Sequence, residues 1–314
     1  MRLHLTRRLL TAAFLGAALM TSAQAQSPAG DFGVLVMAHG GSPQWNSDVT
    51  TMLAPVARAY PLEIAFGMAD AVSLQDAVTR LEARGVSRIA VVRLFISGES
   101  WRERTEQILG IAPGAPTRPP IDPHAGHGAH GGHSMEFWRV TSNASFAVSQ
   151  EGLMDAREMG AVLVERARAL SQTPANESVL IIGHGPETDE ENARWLQLIG
   201  ARAASVTGYR DVHVETLRED WPDKRAASEA RIRAYVEQHS QGDGRVLVVP
   251  YRISGFGPYA RVLEGLEYAS DGRGLIPSAE VEHWVRRQVQ ELSAGEFRAQ
   301  QRVADAHAGH AGEH

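Results

Sequence analysis

The hydrophobic pattern of this chain repeats itself at a distance. Val34-Leu-Val-Met-Ala38 is an unbroken apolar run closed by His39-Gly40, and Val179-Leu-Ile-Ile-Gly183 is another closed by His184-Gly185. A short apolar run that stops at a glycine, without polar alternation, is the pattern of a strand buried on both faces in a parallel sheet. A second pair comes later in the same order: Arg88-Ile-Ala-Val-Val-Arg-Leu-Phe-Ile-Ser-Gly98 reads against Arg245-Val-Leu-Val-Val-Pro-Tyr-Arg-Ile-Ser-Gly255. Two matched strand ends in the same order predict an internal duplication.

Around these strands the pattern predicts strands near 33–38, 62–67 and 88–94, with helices near 46–60, 73–85 and from about 101. The second half predicts a helix over 152–171, then strands at 178–183, 211–217 and 245–250 alternating with helices at 190–204 and 223–239. Strands alternating with helices imply an α/β fold with parallel sheets. After Pro277, the residues Val281, Trp284, Val285, Val289 and Leu292 share one face of a closing amphipathic helix, expected to lie against the second sheet. The expected fold is two similar α/β domains over 30–112 and 137–295, each a small parallel sheet flanked by helices.

Residues 113–136 break the pattern, being rich in proline, glycine and histidine with no apolar period, and are expected to be a linker. Within it His124, His127, His130 and His133 recur every third residue, and the tail over 296–314 repeats the theme with His307, His310 and His314. Closely spaced imidazoles on a flexible chain bind Ni²⁺, Co²⁺, Zn²⁺ or Cu²⁺ with little selectivity, so these segments are expected to collect metal. The alternative is a low-complexity linker whose histidines only keep it soluble.

The N-terminus carries Arg2, Arg7 and Arg8, then an apolar stretch from Leu9 to Met20, then Ala23-Gln-Ala25. This is the order of a cleavable export signal, expected to be cut after Ala25 and to leave a periplasmic or secreted protein. Its apolar stretch is shorter than the ~20 residues that cross a bilayer, so no spanning segment is expected after cleavage. The chain has no cysteine, which excludes disulfides and thiolate metal sites. Its formal net charge is −6 before the leader arginines are lost, which argues against nucleic acid as a partner.

Open α/β sheets place ligands just beyond the carboxyl ends of their strands, where His39 and His184 stand. A neutral imidazole there can hold a borderline metal or accept a proton. Each histidine could equally be packed in the seam between strand and loop. One imidazole alone holds a metal weakly, and the first half offers Glu99 just after Gly98 as a second ligand. Glu99 could instead be an acid complementing the dipole of the helix that starts near Trp101. Two other motifs fail: Gly98-Glu-Ser-Trp-Arg102 lacks the closing glycine of a nucleophile elbow, and Gly255-Phe-Gly257 comes too late in its domain, without a placed acid, for dinucleotide binding.

With the His-Gly strand ends, the Val-Val-x-Leu-Phe-Ile-Ser-Gly segment, the Ala57-to-Phe66 helix–strand pattern and the tandem halves, the chain resembles the class II tetrapyrrole chelatases, the sirohydrochlorin cobaltochelatase and ferrochelatase group. The resemblance covers roughly 31–110 and 160–270. It implies facing α/β domains, a flat tetrapyrrole between them, and a divalent ion (Co²⁺, Ni²⁺, Fe²⁺ or Zn²⁺) delivered by a strand-end histidine, matched here by His39 with His184 as its duplicate. The family commonly has a further histidine after the Leu-Phe-x-x-x-Gly segment, where this chain has Glu99, Ser100 and Trp101.

Under that resemblance His39 and Glu99 share the work of holding the ion and accepting the pyrrole protons. Arg93, Arg102 and Arg252, with Arg104 and Arg261, are expected to meet ring carboxylates. The alternative to a metal-inserting lyase is a periplasmic metal-binding or metal-delivery protein on a degenerate chelatase scaffold.

Overall fold

A computed structural model of the chain describes residues 30–120 and 135–301. The expected leader, the linker histidines and the tail histidines lie outside the described residues.

The first strand, β1 (Phe32–Ala38), leads into α1 (Pro43–Ala59), β2 (Leu62–Phe66), α2 (Ala71–Glu82), β3 (Arg88–Leu94) and α3 (Arg102–Ile108). Next come β4 (Ser145–Val148), α4 (Met159–Leu170), β5 (Glu177–Gly183), α5 (Asp189–Ala203), β6 (Asp211–Thr216) and α6 (Pro222–His239). The chain continues through β7 (Arg245–Tyr251), α7 (Tyr259–Val262), α8 (Ala279–Ser293) and β8 (Arg298–Ala299). Helix starts obey local chemistry. Ser42 caps α1 by accepting from Trp45 N at 3.2 Å with Pro43 in the first turn, and Thr188 caps α5 ahead of Asp189, Glu190 and Glu191.

The strands form two sheets, ordered β2-β1-β3-β4-β8 and β6-β5-β7. All pairings are parallel except the antiparallel β4–β8 pair. The central strands β1 and β5 occupy equivalent places, each flanked by its two parallel neighbours, as the duplicated motif implies.

Alternate residues of these strands enter different cores, because successive side chains point to opposite faces. Leu35 and Met37 of β1 pack with α2 and α3 residues such as Leu74 and Ile108, while Leu180 and Ile182 of β5 pack with Ile232 and Val236 of α6. Val34 and Val36 from the first sheet and Val179 and Ile181 from the second join a single cluster with α1, α4, α5 and α8. One helical layer therefore lies between the two sheets and serves both.

That shared layer corrects two expectations. The closing helix α8 lies against β3, β4 and α1, with α4 beside it, and so covers the first sheet rather than the second. Its buried stripe of Val281, Trp284, Val285 and Val289 was legible as apolar, but periodicity does not say which sheet it meets. The sheets also do not divide at residue 137: β4 and β8 both complete the first sheet, so the chain crosses between lobes more than once. Arg287 of α8 fastens this return, donating from Nη2 to Glu151 at 2.7 Å and from Nε to Glu158 at 2.7 Å.

The helix expected over 152–171 begins only at Met159. Gly152 presses against the backbone of residues 96–98, and Leu153 N and Met154 N donate to Phe95 O and Ile96 O at 2.9 and 2.8 Å. Residues 152–158 thus brace the loop that comes after β3 instead of starting a helix.

Candidate functional site

The carboxyl ends of β1 and β5 open into a cavity of about 740 Å³ between the lobes, a volume typical of small-molecule sites. Both strand-end histidines line it. Their side chains are held alike: Nδ1 of His39 lies 2.9 Å from the Gly40 carbonyl, and Nδ1 of His184 lies 2.8 Å from the Gly185 carbonyl. A carbonyl oxygen only accepts, so each Nδ1 donates, and a ring in its neutral form keeps Nε2 as the acceptor. This is the arrangement by which a backbone carbonyl orients a metal-ligating histidine.

The loop after β6 supplies what β5 lacks. Glu219 and Asp220 reach the same cavity, with Asp220 Oδ2 3.0 Å and Glu219 Oε1 3.8 Å from His184 Nε2. Single ligand atoms of these three residues lie within 4.8 Å of one another, close enough to share one cation. Trp221 packs edge-on to the imidazole at 5.8 Å between centroids and fixes its plane.

Arg218 ties the two loops together. Its backbone is left-handed, φ 58°, and its N–H donates to the His184 carbonyl at 2.7 Å. Its guanidinium donates to the carbonyls of Pro186 and Glu187 and, at 2.9 Å, to Asp189 Oδ1. Gly185, at φ 82°, allows this approach, since a Cβ there would stand 2.8 Å from Thr216 Cβ. The residue immediately before the acidic pair therefore clamps the loop immediately after His184.

The other expected site residues are dispersed. Glu99 is outside the cavity lining; its carboxylate is 61% exposed and pairs with Arg102 at 2.9 Å. Trp101 stands at the N-terminus of α3, which has no side-chain cap, and Glu99 precedes it by two residues. Arg93 is buried, its guanidinium donating to the carbonyls of Ser149, Gly98 and Ser100, and burial pushes its pKa down to about 10. It holds the loop after β3 in shape and is not available to a ligand. Arg104 likewise donates to Ala69 O at 2.8 Å and Met135 O at 2.7 Å. Arg252 does line the cavity and is ion-paired with Glu219. Arg261 is exposed.

Among the described residues the first lobe has no acidic pair equivalent to Glu219 and Asp220. Where β6 runs on into Leu217-Arg-Glu-Asp220, β2 runs on into Gly67-Met-Ala-Asp70. Met68 lines the cavity, whereas Asp70 is buried and caps α2, accepting from Ser73 N at 2.9 Å. The two lobes are alike in fold and unlike in ligand chemistry. Sequence reasoning missed Glu219 and Asp220. The signal that could have found them is the one that singled out His39: polar residues standing just past the carboxyl end of a strand, here β6 instead of β1.

Residues 33–101 match the family model described as CbiX. The match runs from β1 to the loop after β3. Beyond this CbiX segment the likeness is one of fold. Solved structures similar to the chain include SirB from Bacillus subtilis with Fe³⁺, at TM-score 0.58 and 15% identity, covering 85% of this chain and 99% of that one. The sirohydrochlorin chelatase SirB from Bacillus subtilis subspecies spizizenii in complex with cobalt matches at TM-score 0.52 and 13% identity, with 85% and 99% covered.

DR2241 from Deinococcus radiodurans, a multi-domain protein with structural similarity to chelatases, matches at TM-score 0.50 and 16% identity over 84% of this chain. The chain spans only 55% of that protein's length. None of the curated proteins matches the sequence. The chain thus carries the chelatase fold across both lobes, with the CbiX sequence signature in the first. Among the described residues no helix is long and apolar enough to cross a membrane.

Proposed function

We propose that this protein holds a divalent transition-metal ion at His184, Glu219 and Asp220 and brings it to a tetrapyrrole-type ring in the inter-lobe cavity. The observation that carries this reading is the convergence of one imidazole and two carboxylates, within 4.8 Å of one another, on a cavity that the opposing His39 also lines. Nitrogen with carboxylate oxygen suits Co²⁺, Ni²⁺, Fe²⁺ or Zn²⁺ rather than Ca²⁺. The similar SirB structures with Fe³⁺ and with cobalt support a first-row metal as cargo.

Metal insertion needs an ion held with few ligands, so that it can be passed on, and a base for the two pyrrole protons that leave as the ion enters. His184, Glu219 and Asp220 meet the first need. His39, which lines the cavity and donates from Nδ1 to the Gly40 carbonyl, is the imidazole proposed for the second. A carboxylate released as the ion departs accepts the other proton.

The rival reading is metal delivery without insertion, favoured by the outward position of Glu99, which leaves the first lobe without the carboxylate expected there. Under either reading the segment 1–25 directs export and the linker and tail histidines feed metal to the cavity. The test is a Co²⁺ titration of the full chain and of His184→Ala, each with and without a free-base tetrapyrrole. Binding lost in the variant supports the metal site, and ring metallation faster than the protein-free control supports insertion. Unchanged Co²⁺ affinity in His184→Ala would remove the proposed site.

A further inference from the structure

We infer that Arg252 is a positioning residue that sets how tightly the ion is held, by keeping one oxygen of Glu219 so that only the other is offered to metal. The inference rests on the proposed metal site at His184, Glu219 and Asp220, and extends it from where the ion sits to how it is let go.

The two oxygens of Glu219 have different neighbours. Oε1 lies 3.8 Å from His184 Nε2, on the side the ion would share, whereas Oε2 accepts from Nη1 of Arg252. A carboxylate so engaged offers a cation one oxygen, and the charge of its partner opposes the charge of the ion. Partners behind a metal ligand commonly raise its donor strength. A guanidinium lowers it.

The wall behind Arg252 confines it by shape. Its Cζ lies 5.7 Å from the centroid of the Tyr259 ring, and a Cβ on Gly257 would stand 2.7 Å from both Cζ and Nε, so glycine leaves the room the guanidinium needs. Among the described residues Arg252 Nε is buried without a hydrogen-bond partner, as is the Tyr259 hydroxyl, so the polar contact that aims the group is the one to Glu219. A buried donor left unpaired is costly, which sets this placement apart from one selected for stability.

The first lobe supplies the internal comparison. The repeat that sets Arg88–Gly98 against Arg245–Gly255 places Phe95 where the second lobe has Arg252, and the loops after β2 and β6 place Ala69 where it has Glu219. Phe95 lines the same cavity. Carboxylate and guanidinium thus come as a pair in one lobe and are replaced as a pair in the other, as expected if Arg252 serves Glu219 rather than the fold common to both.

The experiment uses the full chain with Co²⁺ alone and no ring. Competition with a chromophoric chelator reads affinity, and stopped-flow transfer to excess chelator reads release. Arg252→Gln, and Arg252→Met as a second variant of similar length, are expected to bind Co²⁺ about tenfold tighter and to release it more slowly by a similar factor, the low end of the range seen when groups behind metal ligands are changed. Arg252→Lys, which keeps a positive charge beside Glu219, is expected to stay within about threefold of the parent. Added to Glu219→Gln, Arg252→Gln should bring no gain, because the residue acts through that carboxylate.

A purely structural role predicts weaker binding, so a gain in affinity separates the two. Unchanged or weaker Co²⁺ binding in whichever of Arg252→Gln and Arg252→Met keeps the native circular dichroism spectrum, or the same gain in the Glu219→Gln background, would overturn the inference. Loss of binding in His184→Ala without a gain at Arg252 leaves the metal site standing and removes only the role of Arg252. Co²⁺ binding that is unchanged in His184→Ala removes both.

Discussion

His184 Nε2 lies 3.0 Å from Asp220 Oδ2, while the Nδ1 of the same ring is engaged by the Gly185 carbonyl. With its proton on Nδ1, the neutral ring would turn a lone pair toward a carboxylate, which is repulsive at this distance. The contact therefore calls for a positive charge between the two atoms: a second proton, or a metal ion. Asp220→Asn removes one carboxylate without removing bulk. Its Co²⁺ or Zn²⁺ affinity is expected to fall about 10–100-fold, the scale seen when metal-site groups are altered. Its stability without metal should hardly change, since the Asp220 side chain is 67% exposed and exposed ion pairs contribute about 0–1 kcal/mol. Competition with a chromophoric chelator reads the first, and urea unfolding the second.

How far this was legible in the sequence depended on which feature bore the information. His39 and His184 were legible because an apolar run closed by His-Gly states both a strand and its end. Glu219 and Asp220 were not, because Glu-Asp ahead of a helix beginning at Pro222 reads as ordinary first-turn chemistry until β6 is known to lie beside β5. Glu99 stands just past a repeated strand and so drew attention, yet its loop is shaped by Arg93 and by the backbone contact of Gly98 with residues 150–152, which leave the carboxylate outside. The place of α8 was hidden for a different reason: an amphipathic stripe reports that a face is buried, not against what.

Arg218 is expected to act as a positioning residue for the metal site. A non-glycine residue at φ 58° costs roughly 1 kcal/mol of strain, held here by hydrogen bonds to the His184, Pro186 and Glu187 segment. Arg218→Lys keeps the charge but loses the planar fork. It should lower stability by about 1–3 kcal/mol and weaken metal binding, although no atom of residue 218 belongs to the ligand set. Thermal unfolding and a metal titration on the same preparation check both effects; full metal affinity in a destabilised Arg218→Lys would contradict the positioning role.

Gly98 and Gly152 bring two loop backbones into direct contact, and a Cβ on either would collide with main-chain atoms of the other segment. Gly98→Ala is therefore expected to cost about 1–3 kcal/mol or more, as overpacking does where backbone cannot move aside. Because the same loop carries Ser100 and Trp101 into the cavity, ring binding should weaken with stability. Chemical denaturation gives the first quantity and fluorescence quenching the second.

Glu177 opens β5, the strand that leads into His184, and its buried carboxylate titrates below the ordinary range. Burial alone would raise its pKa, but hydrogen bonds from Ser171, Gln172 N and Arg245 together outweigh that and hold it down. A carboxylate with a depressed native pKa contributes stability that is fully present above its unfolded pKa of about 4.3 and is lost as pH falls through the lower native value. Glu177→Gln should lose about 1–3 kcal/mol at neutral pH and show a shallower acid limb. Urea midpoints measured from neutral pH downward decide this; parallel curves for the two proteins would count against it.

The two histidines are expected to separate by role. His184 has Glu219 and Asp220 within ligand-sharing distance, whereas among the described residues the group of ligand atoms that could hold an ion does not include His39, which stands on the opposing lobe. His39→Ala should therefore keep most of the Co²⁺ affinity while slowing ring metallation by about 10²–10⁴-fold, the usual contribution of a positioned base. His184→Ala should lose metal affinity first and metallation as a consequence, so excess Co²⁺ would restore rate to His184→Ala but not to His39→Ala. Stopped-flow metallation across a Co²⁺ series distinguishes the two. Loss of affinity in His39→Ala as large as in His184→Ala would show instead that both imidazoles bind one ion across the cleft, and metallation would then have to draw its base from elsewhere.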